Sequence, residues 1–452
     1  MFYLDINKFL NIVKEQIKYK PVRKNIEEEL KCHIEDAKED FISKGVNEKE
    51  AETRAIEAMG NPEDIGKKLN KVHKPKLDWK LLILVAILVG FGIMTAILKN
   101  NNISSDILGK TFLYIAVGAI FCIGMYFMDY RKIKKYSFLI YIIATAIMIL
   151  PYIGISRTVN GIMYLSIFGA TISQAVICMP LYLVAFVGMV TNYDINKNIE
   201  IKIDGRKFKI NKDCIKIVVL SLISILLMIN IPSMVNGAIL FLSYYVIAIS
   251  KIIKYSENKA KKIMKILLPL GLLGIIFIIV LIAEPYRLTR IKYSFHPEKD
   301  PRGYGYVGTL QNDILKNAKW FGEADTKSIL SDELVISKES QYTFIYLVGK
   351  MGIIVSGMLV LIILLISAKL ILNAKNIKDQ YGKLLIIGMG TLYIVQSIAS
   401  VLVNVNLMLQ VGVNLPFVSY GGVYFIVNAA QIGLVLSVYK RKDVIEYEEA
   451  IE

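Results

Sequence analysis

Long apolar stretches alternate with short polar segments from residue 80 to residue 439. A helix needs about 20 mainly apolar residues to cross the hydrocarbon of a membrane. The pattern therefore predicts ten membrane-spanning helices, which we number as spans one to ten. They lie near residues 80–99, 112–128, 136–154, 174–192, 214–232, 235–253, 264–283, 344–370, 384–404 and 421–439. Pro180 interrupts span four, where neighbouring groups can satisfy the carbonyl that a proline frees.

The first 75 residues follow a different pattern, in which apolar positions recur at helical spacing. These positions are Phe9, Ile12, Val13, Ile17, Ile26, Leu30 and Ile34. Asn47 followed by Glu50 predicts a capping box ahead of a helix over 48–59, and a last helix follows over 63–72. We find no apolar stretch long enough for a cleavable signal peptide. We therefore expect a small helical domain over 1–75, an all-α polytopic membrane domain over 76–442 and a cytoplasmic tail over 443–452.

Residues 199–210 alternate between apolar and polar positions around Asp204-Gly205. A period of two with Asp-Gly at its centre predicts a β-hairpin with a type I′ turn. Its basic residues either touch anionic lipid headgroups or stay solvated, and the pattern leaves both open.

The net charge of +16 lies in the connections between spans. Residues 1–78 contain 16 basic and 16 acidic residues, so the excess belongs to the apolar part of the chain, where a nucleic-acid-binding face is not expected. Lysine and arginine follow spans two, four, six, eight and ten and are rare on the opposite side. Because cytoplasmic connections retain basic residues, both termini are predicted on the cytoplasmic side of a bacterial plasma membrane.

One connection is much longer, the segment 284–343, with nine basic and nine acidic residues. Long loops are translocated largely regardless of charge, so we expect this loop on the outer side. The four cysteines, Cys32, Cys122, Cys178 and Cys214, lie outside it, and no disulfide is expected there. The spacing of cysteine and histidine does not indicate a metal site, so a divalent cation as cofactor has no support in the sequence.

Polar side chains inside the spans mark either functional positions or hydrogen bonds between helices. They are Gln174, Gln396, Asn404, Asn428 and Gln431. A distinctive string, Leu415-Pro416-Phe417-Val418-Ser419-Tyr420-Gly421-Gly422, precedes span ten. Its proline and glycine pair break the helix at the outer boundary, which is tolerated only where protein or a polar cavity satisfies the backbone.

This string resembles the signature of the SEDS family, the shape, elongation, division and sporulation proteins that include FtsW, RodA and SpoVE. The resemblance covers residues 80–442 and extends to the ten spans, the long loop, Asn404, Gly412 and Asn160-Gly161. The matching loop residues are Arg287, Arg290, Phe295, His296, Pro297, Asp300, Pro301, Gly303, Gly305, Tyr306 and Gln311. Residues 33–63 also resemble the helical prefix domain of bacterial permease-like and anti-sigma proteins. That second resemblance implies a regulatory or protein-interaction module with a cytoplasmic partner, and the alternative is a soluble anchor without a partner.

SEDS proteins polymerise glycan strands from lipid-linked disaccharide-peptide precursors on the outer face of the membrane. The resemblance implies a SEDS-type bundle, a role in peptidoglycan synthesis in cell division, cell shape or sporulation, a lipid II-type substrate and a transpeptidase partner with a single membrane span. It implies a general base among the loop carboxylates, with arginine stabilising the departing pyrophosphate. The implied substrate-binding residues are Arg287, Arg290, Asp300, Gln311, Ser419 and Tyr420, and the implied structural residues of the motif are Pro416, Gly421 and Gly422.

The chain departs from the family at charged positions. When the chain is aligned with the family on Gly352, Gln341 occupies the position of the catalytic aspartate. When the alignment is shifted by two residues, Thr343 occupies that position. Neither side chain can act as a base at neutral pH. Val176 and Met179 replace a glutamate and a lysine of span four. Glu339, two residues before Gln341, is then the candidate catalytic carboxylate. A further candidate, Lys350, either extends to the membrane surface or binds a phosphate group.

These departures leave three functions open. The first is a divergent peptidoglycan glycosyltransferase, which is a lipid II polymerase. The second is a catalytically inactive protein of the same fold that binds the precursor or a partner enzyme. The third is a transporter of a lipid-linked substrate, which the lack of an inverted repeat in the span lengths disfavours.

Overall fold

The computed structural model describes residues 5–72, 77–100, 107–159, 162–167, 170–192, 199–203, 206–210, 212–230, 234–255, 271, 274, 285–325 and 340–442. The chain divides into two compact units, residues 1–77 together with 439–452, and residues 78–438. Each unit has its own architecture, and the candidate site lies in the second.

Residues 5–72 of the first unit form four helices. They are α1 (Ile6–Gln16), α2 (Arg23–Ser43), α3 (Glu48–Met59) and α4 (Pro62–Val72), with a 3₁₀ turn over Lys20–Val22. The apolar positions at helical spacing form its core, apart from the partly buried Ile12, and Phe9, Ile17 and Ile34 are fully buried. The two helices predicted over 48–59 and 63–72 are present.

The predicted capping box at α3 is wrong. Asn47 makes no side-chain hydrogen bond to the helix, and the Glu50 carboxylate instead accepts a 2.6 Å bond from Arg54 one turn later. A bond to a charged donor is stronger than one to a neutral backbone N–H, which accounts for the difference. Nearby, Lys38 donates to Glu48 at 2.9 Å. That contact raises the pKa of Lys38 and lowers the pKa of Glu48.

The second unit is built from long apolar helices. They are α5 (Trp79–Asn100), α6 (Ile107–Phe127), α8 (Ser137–Ile149), α9 (Gln174–Thr191), α10 (Lys212–Asn230), α11 (Met234–Tyr255), α14 (Thr343–Met351), α15 (Ile353–Lys375), α16 (Gln380–Asn404) and α17 (Gly422–Lys440). The short helix α7 (Tyr130–Lys135) precedes α8, and a 3₁₀ turn over Leu150–Ile153 follows it. The long connection over 284–343, which we call the outer loop after its predicted side, contains α12 (Pro285–Phe295) and α13 (Tyr306–Lys316).

Nine of the ten predicted spans correspond to these helices. Six of the described helices have the length and hydropathy to cross a membrane, and three apolar helices are shorter by that measure. Span seven falls almost wholly outside the described residues, so the count of ten stays a prediction. Span eight is two helices, α14 and α15, and the prediction of one continuous helix over 344–370 is wrong. The helices part at Gly352, whose φ of 88° few other residues tolerate.

Two small antiparallel sheets interrupt the helices. Strands β1 (Ser156–Val159), β2 (Ile162–Ile167) and β3 (Ala170–Ile172) form a meander ahead of α9. The sequence did not predict this sheet, because apolar and polar residues do not alternate over 161–169. The predicted hairpin is present as β4 (Ile199–Ile203) and β5 (Arg206–Ile210), with Ile201 opposite Phe208. Its turn lies outside the described residues, as does Asn160-Gly161.

Burial separates central helices from peripheral ones. In the most apolar 18 residues of each helix, the buried share is 72% for α9 and 61% for both α16 and α17. The share is only 28% for α5 and 11% for α6. Just before α5, the buried carboxylate of Asp78 accepts a 2.6 Å hydrogen bond from Asn373 Nδ2. The same carboxylate lies 3.4 Å from Lys369 Nζ. A buried carboxylate needs such partners, and these link spans one and eight at one end of the unit.

Candidate functional site

Asn404, the last residue of α16, joins span nine to the start of span eight. Its side chain is fully buried. The amide Nδ2 donates to the Gln341 carbonyl at 2.8 Å and to the Ser400 carbonyl at 2.7 Å. The amide Oδ1 accepts from the Ile345 N–H at 3.0 Å. Asn404, which the sequence marked as an intramembrane polar residue, therefore holds the backbone on both sides of Thr343.

The non-helical segment 405–421 is fixed by polar groups of spans nine and ten. Ser400 donates to the Val413 carbonyl at 3.0 Å. Tyr424 donates to the Asn414 carbonyl at 2.5 Å and accepts from Gln396 at 2.5 Å. Protein groups thus satisfy the broken backbone, as the sequence predicted for a break at the membrane boundary.

Within the signature string, Ser419 has a structural hydrogen bond. Its hydroxyl accepts from the Leu415 N–H at 2.9 Å, and the side chain is 4% exposed. Phe417, between them, has a positive φ of 63°. Tyr420 lies against Tyr114 of α6, with ring centroids 6.3 Å apart. These residues line a cavity of about 20 Å³ against α5 and α6, which has room for a water molecule but none for a sugar ring.

Gln410 connects the same segment to the outer loop. Arg290 donates to the Gln410 carbonyl at 3.0 Å, and the Gln410 N–H donates to Ser294 at 3.2 Å. Its Nε2 donates to Gln311 Oε1 at 2.6 Å and to Asn406 Oδ1 at 3.2 Å. Two of the predicted substrate-binding residues therefore contact Gln410, which the sequence did not single out: Arg290 at its main-chain carbonyl and Gln311 at its side-chain amide.

The Gln410 contacts are incomplete. Gln311 is fully buried, yet its Nε2 has no hydrogen-bond partner among the described residues, and neither has Gln410 Oε1. Buried polar groups are normally paired, so an unpaired donor beside an unpaired acceptor marks a place where water or a ligand can bind.

The other candidates from the outer loop lie in separate contacts. The Asp300 carboxylate accepts a 2.9 Å hydrogen bond from the Tyr304 N–H, within the turn between α12 and α13. Arg287 lies in α12, and its side chain is outside the description. Glu339 also lies outside the described residues, so its candidacy stays a prediction.

Lys350 has a partner that the sequence did not predict. Its Nζ lies 2.5 Å from Glu323 Oε1, and its side chain is 13% exposed. Around Gly352, the Lys319 and Trp320 carbonyls accept from the Ile353 and Ile354 N–H groups at 2.9 and 3.2 Å. The segment 319–324 therefore fills the break in span eight, and Lys350 lies beside it in an ion pair.

The start of span eight contains no carboxylate at either aligned position. Thr343 is fully buried, and its hydroxyl donates to the Ser340 carbonyl at 2.7 Å. Gln341 is partly exposed, and its carbonyl is the acceptor for Asn404. In α9, Val176 is partly buried and Met179 is 4% exposed. At positions 341 and 343 the contacts are structural: the Thr343 hydroxyl binds a main-chain carbonyl, and Gln341 offers its own main-chain carbonyl to Asn404.

A buried cation lies nearby. Lys99, at the end of predicted span one, is the penultimate residue of α5 and is 2% exposed. Its Nζ lies 5.4 Å from the ring centroid of Tyr346, a distance suited to a cation–π contact. Within the described residues, no cluster of three or more histidine, cysteine, aspartate and glutamate side chains is arranged to hold a metal ion.

Comparison with known proteins identifies the class. Residues 76–443 match the family FTSW_RODA_SPOVE, described as cell cycle protein. The chain belongs to this family of multi-pass membrane proteins of cell-wall synthesis, and the family and the helical membrane fold predicted from the signature string are confirmed.

Two relatives indicate the extent of the similarity. The probable peptidoglycan glycosyltransferase FtsW of Nitrosomonas europaea is 26% identical over 386 residues, which is 82% of this chain and 94% of the relative. That of Aliivibrio salmonicida is 30% identical over 169 residues, which is 36% of this chain and 42% of the relative.

Solved structures share the fold. One chain comes from the work "Structural coordination of polymerization and crosslinking by a peptidoglycan synthase complex", with a TM-score of 0.63 at 18% identity, covering 81% of this chain and 98% of that one. Another is the rod shape determining protein RodA of Thermus thermophilus, with a TM-score of 0.56 at 15% identity, covering 81% and 97%.

Proposed function

We propose that this protein acts in peptidoglycan synthesis by binding a lipid-linked disaccharide-peptide precursor at the outer ends of spans eight to ten. The observation that carries the proposal is the polar framework built on Asn404 and Gln410. It fixes the non-helical segment 405–421, and it leaves buried hydrogen-bonding atoms of Gln311 and Gln410 without a partner among the described residues. The similarity to FtsW proteins, one along 94% of its length, supports the same substrate class.

We further propose that binding occurs without polymerisation by a carboxylate at the start of span eight. A general base must be a titratable group within hydrogen-bond reach of the attacking hydroxyl. Thr343 and Gln341 lack that chemistry. The protein would then present or sequester precursor for a partner enzyme.

A second candidate is a lipid II polymerase that uses Glu339 as its base. Glu339 directly precedes Ser340 in the chain, and the Ser340 hydroxyl donates to Asn414 Oδ1 at 3.1 Å. That contact joins the residue after Glu339 to the non-helical segment 405–421, which favours this carboxylate over others of the loop.

One experiment separates the two candidates. Purified full-length protein is incubated with fluorescent lipid II, and both binding and glycan-strand formation are measured beside the Nitrosomonas europaea relative under conditions where that relative polymerises. We expect binding without polymer. Polymer that disappears in Glu339→Gln but persists in Asp325→Asn, a matched loss of a loop carboxylate, would instead establish the second candidate.

We also propose a transpeptidase partner with one membrane span and a cytoplasmic partner for the four-helix unit, with both termini cytoplasmic. The likeness to a chain of a peptidoglycan synthase complex supports the first partner, and the distribution of basic residues supports the orientation. Co-purification with the single-span transpeptidases of the same cell, and reporter fusions at each terminus, test these points.

A further inference from the structure

A pocket of about 210 Å³ lies between α7, α8, α9 and α10, at the ends of spans three, four and five that the charge pattern predicts to be cytoplasmic. Three lysines line it, Lys134, Lys135 and Lys216, together with one acid, Asp213. The pocket is therefore net positive.

The backbone fixes one wall of this pocket. Ser137 is buried and donates to the Lys134 carbonyl at 2.6 Å, which holds the turn from α7 into α8. A Cβ at Gly188 of α9 would collide with the Ser137 hydroxyl, so the glycine allows α8 and α9 to approach closely. The wall that carries Lys134 and Lys135 is thus set by helix packing.

The lining combines charge with apolar surface. Lys216 Nζ lies 4.6 Å from the ring centroid of Phe138, and Phe138 is 47% exposed. Lysine offers three N–H donors to phosphate oxygens. An exposed aromatic ring beside those donors suits a ligand with a phosphate next to hydrocarbon.

We propose that this pocket binds the phosphodiester headgroup of an anionic phospholipid from the adjoining leaflet. Basic pockets between membrane helices on the cytoplasmic side are suited to such headgroups. The hairpin that precedes α10 adds further positive residues in the same connection, with Lys202 opposite Lys207 in its register. The site is separate from the precursor-binding framework, and the proposal does not rest on the function proposed above.

The test measures lipid binding by the full-length protein in neutral detergent, with phosphatidylglycerol, phosphatidylcholine and inorganic phosphate as separate probes. The variant Lys135→Gln/Lys216→Gln removes two pocket charges. The control Lys132→Gln/Lys378→Gln removes two exposed charges that do not line the pocket. Lys135→Arg/Lys216→Arg keeps the charge and checks that the pocket remains folded.

We expect the first variant to bind phosphatidylglycerol about 30-fold more weakly, while the control stays within about twofold and the arginine variant retains most of the affinity. Phosphatidylcholine should bind at least tenfold more weakly than phosphatidylglycerol, a margin that corresponds to about 1.4 kcal/mol. Equal weakening in the pocket variant and the control would overturn the proposal, because binding would then follow net charge alone. Displacement of the lipid by millimolar inorganic phosphate would overturn the assignment to a phospholipid.

Discussion

Asn404 and Gln410 are amides of the same outer region, six residues apart, but their surroundings differ. Both amide atoms of Asn404 have partners, and they hold span nine to span eight. Within the part of the chain that the structure describes, Gln410 has a paired nitrogen and an unpaired oxygen, next to the unpaired nitrogen of Gln311. A fully paired buried network fixes one conformation, whereas a partly paired one retains the capacity to bind. The comparison suggests a rigid support next to a receptive group.

The largest effect should follow from Asn404→Leu. The change strands the buried Ile345 N–H and Gln341 carbonyl, so we expect a loss of about 3 kcal/mol in unfolding free energy. Denaturant unfolding of the detergent-solubilised protein measures it. The same substitution at exposed Asn376 is the control and should change stability little. A loss below about 1 kcal/mol at position 404 would show that the Asn404 hydrogen bonds do not hold spans eight and nine together.

A smaller loss is expected for Gln410→Leu. Two well-formed bonds from Nε2 disappear, but an unpaired buried oxygen also disappears, so we expect about 1.5 kcal/mol. The same unfolding assay measures this change. A loss as large as that of Asn404→Leu would show that both amides are equally structural.

Gln311→Leu separates stability from binding. The change removes the hydrogen bond that Gln311 Oε1 accepts from Gln410 Nε2, but it also removes a buried Nε2 that has no partner among the described residues, so we expect a loss of about 1 kcal/mol in unfolding free energy. Precursor binding should weaken by roughly tenfold if this nitrogen donates to the ligand, since an unpaired polar group in a site discriminates strongly. Unchanged lipid II affinity in a stably folded variant would show that Gln311 does not bind the precursor.

The ion pair between Lys350 and Glu323 links span eight to the outer loop. Because Glu323 is 41% exposed, solvent screens the pair, and we expect a coupling of about 0.5 kcal/mol that decreases in high salt. A double-mutant cycle of Lys350→Gln and Glu323→Gln measures it. Coupling independent of salt would indicate a much drier contact.

The smallest effect is expected at Lys38 and Glu48 in the first unit. The raised pKa of Lys38 stabilises the fold at lower pH, and that contribution disappears as pH rises through the folded-state pKa. The lowered pKa of Glu48 stabilises the fold above its ordinary range, and that contribution disappears as pH falls. Glu48→Gln should therefore flatten the pH dependence of unfolding slightly at both extremes. An unchanged profile would show that this exposed pair contributes nothing measurable.

The sequence predicted the helices well because each is specified locally. A long apolar stretch defines a span wherever it packs, so the bounds of α5, α9 and α16 agree within a few residues with the predicted spans. Gly352 was not recognised as a break, since a glycine inside an apolar helix costs only about 1 kcal/mol. Its positive φ depends on Lys319 and Trp320, which are distant in sequence.

The candidate site was predictable in part. Asn404 and the string ending in Gly422 are local signals of polar groups and broken backbone. The partners Gln410 and Glu323 depend on how the outer loop folds onto the bundle, which no local pattern specifies. The substitutions at positions 341 and 343 were visible in the sequence, but their hydrogen bonds became evident only from the structure.

The break in span eight has a practical consequence for protein engineering. The segment 319–324 is joined to residues 349–354 by four main-chain hydrogen bonds, between 2.8 and 3.2 Å long. Main-chain bonds do not depend on which side chains the loop carries. A loop taken from another family member should therefore be transplantable into this chain, provided that Gly352 and the length of the segment 319–324 are kept.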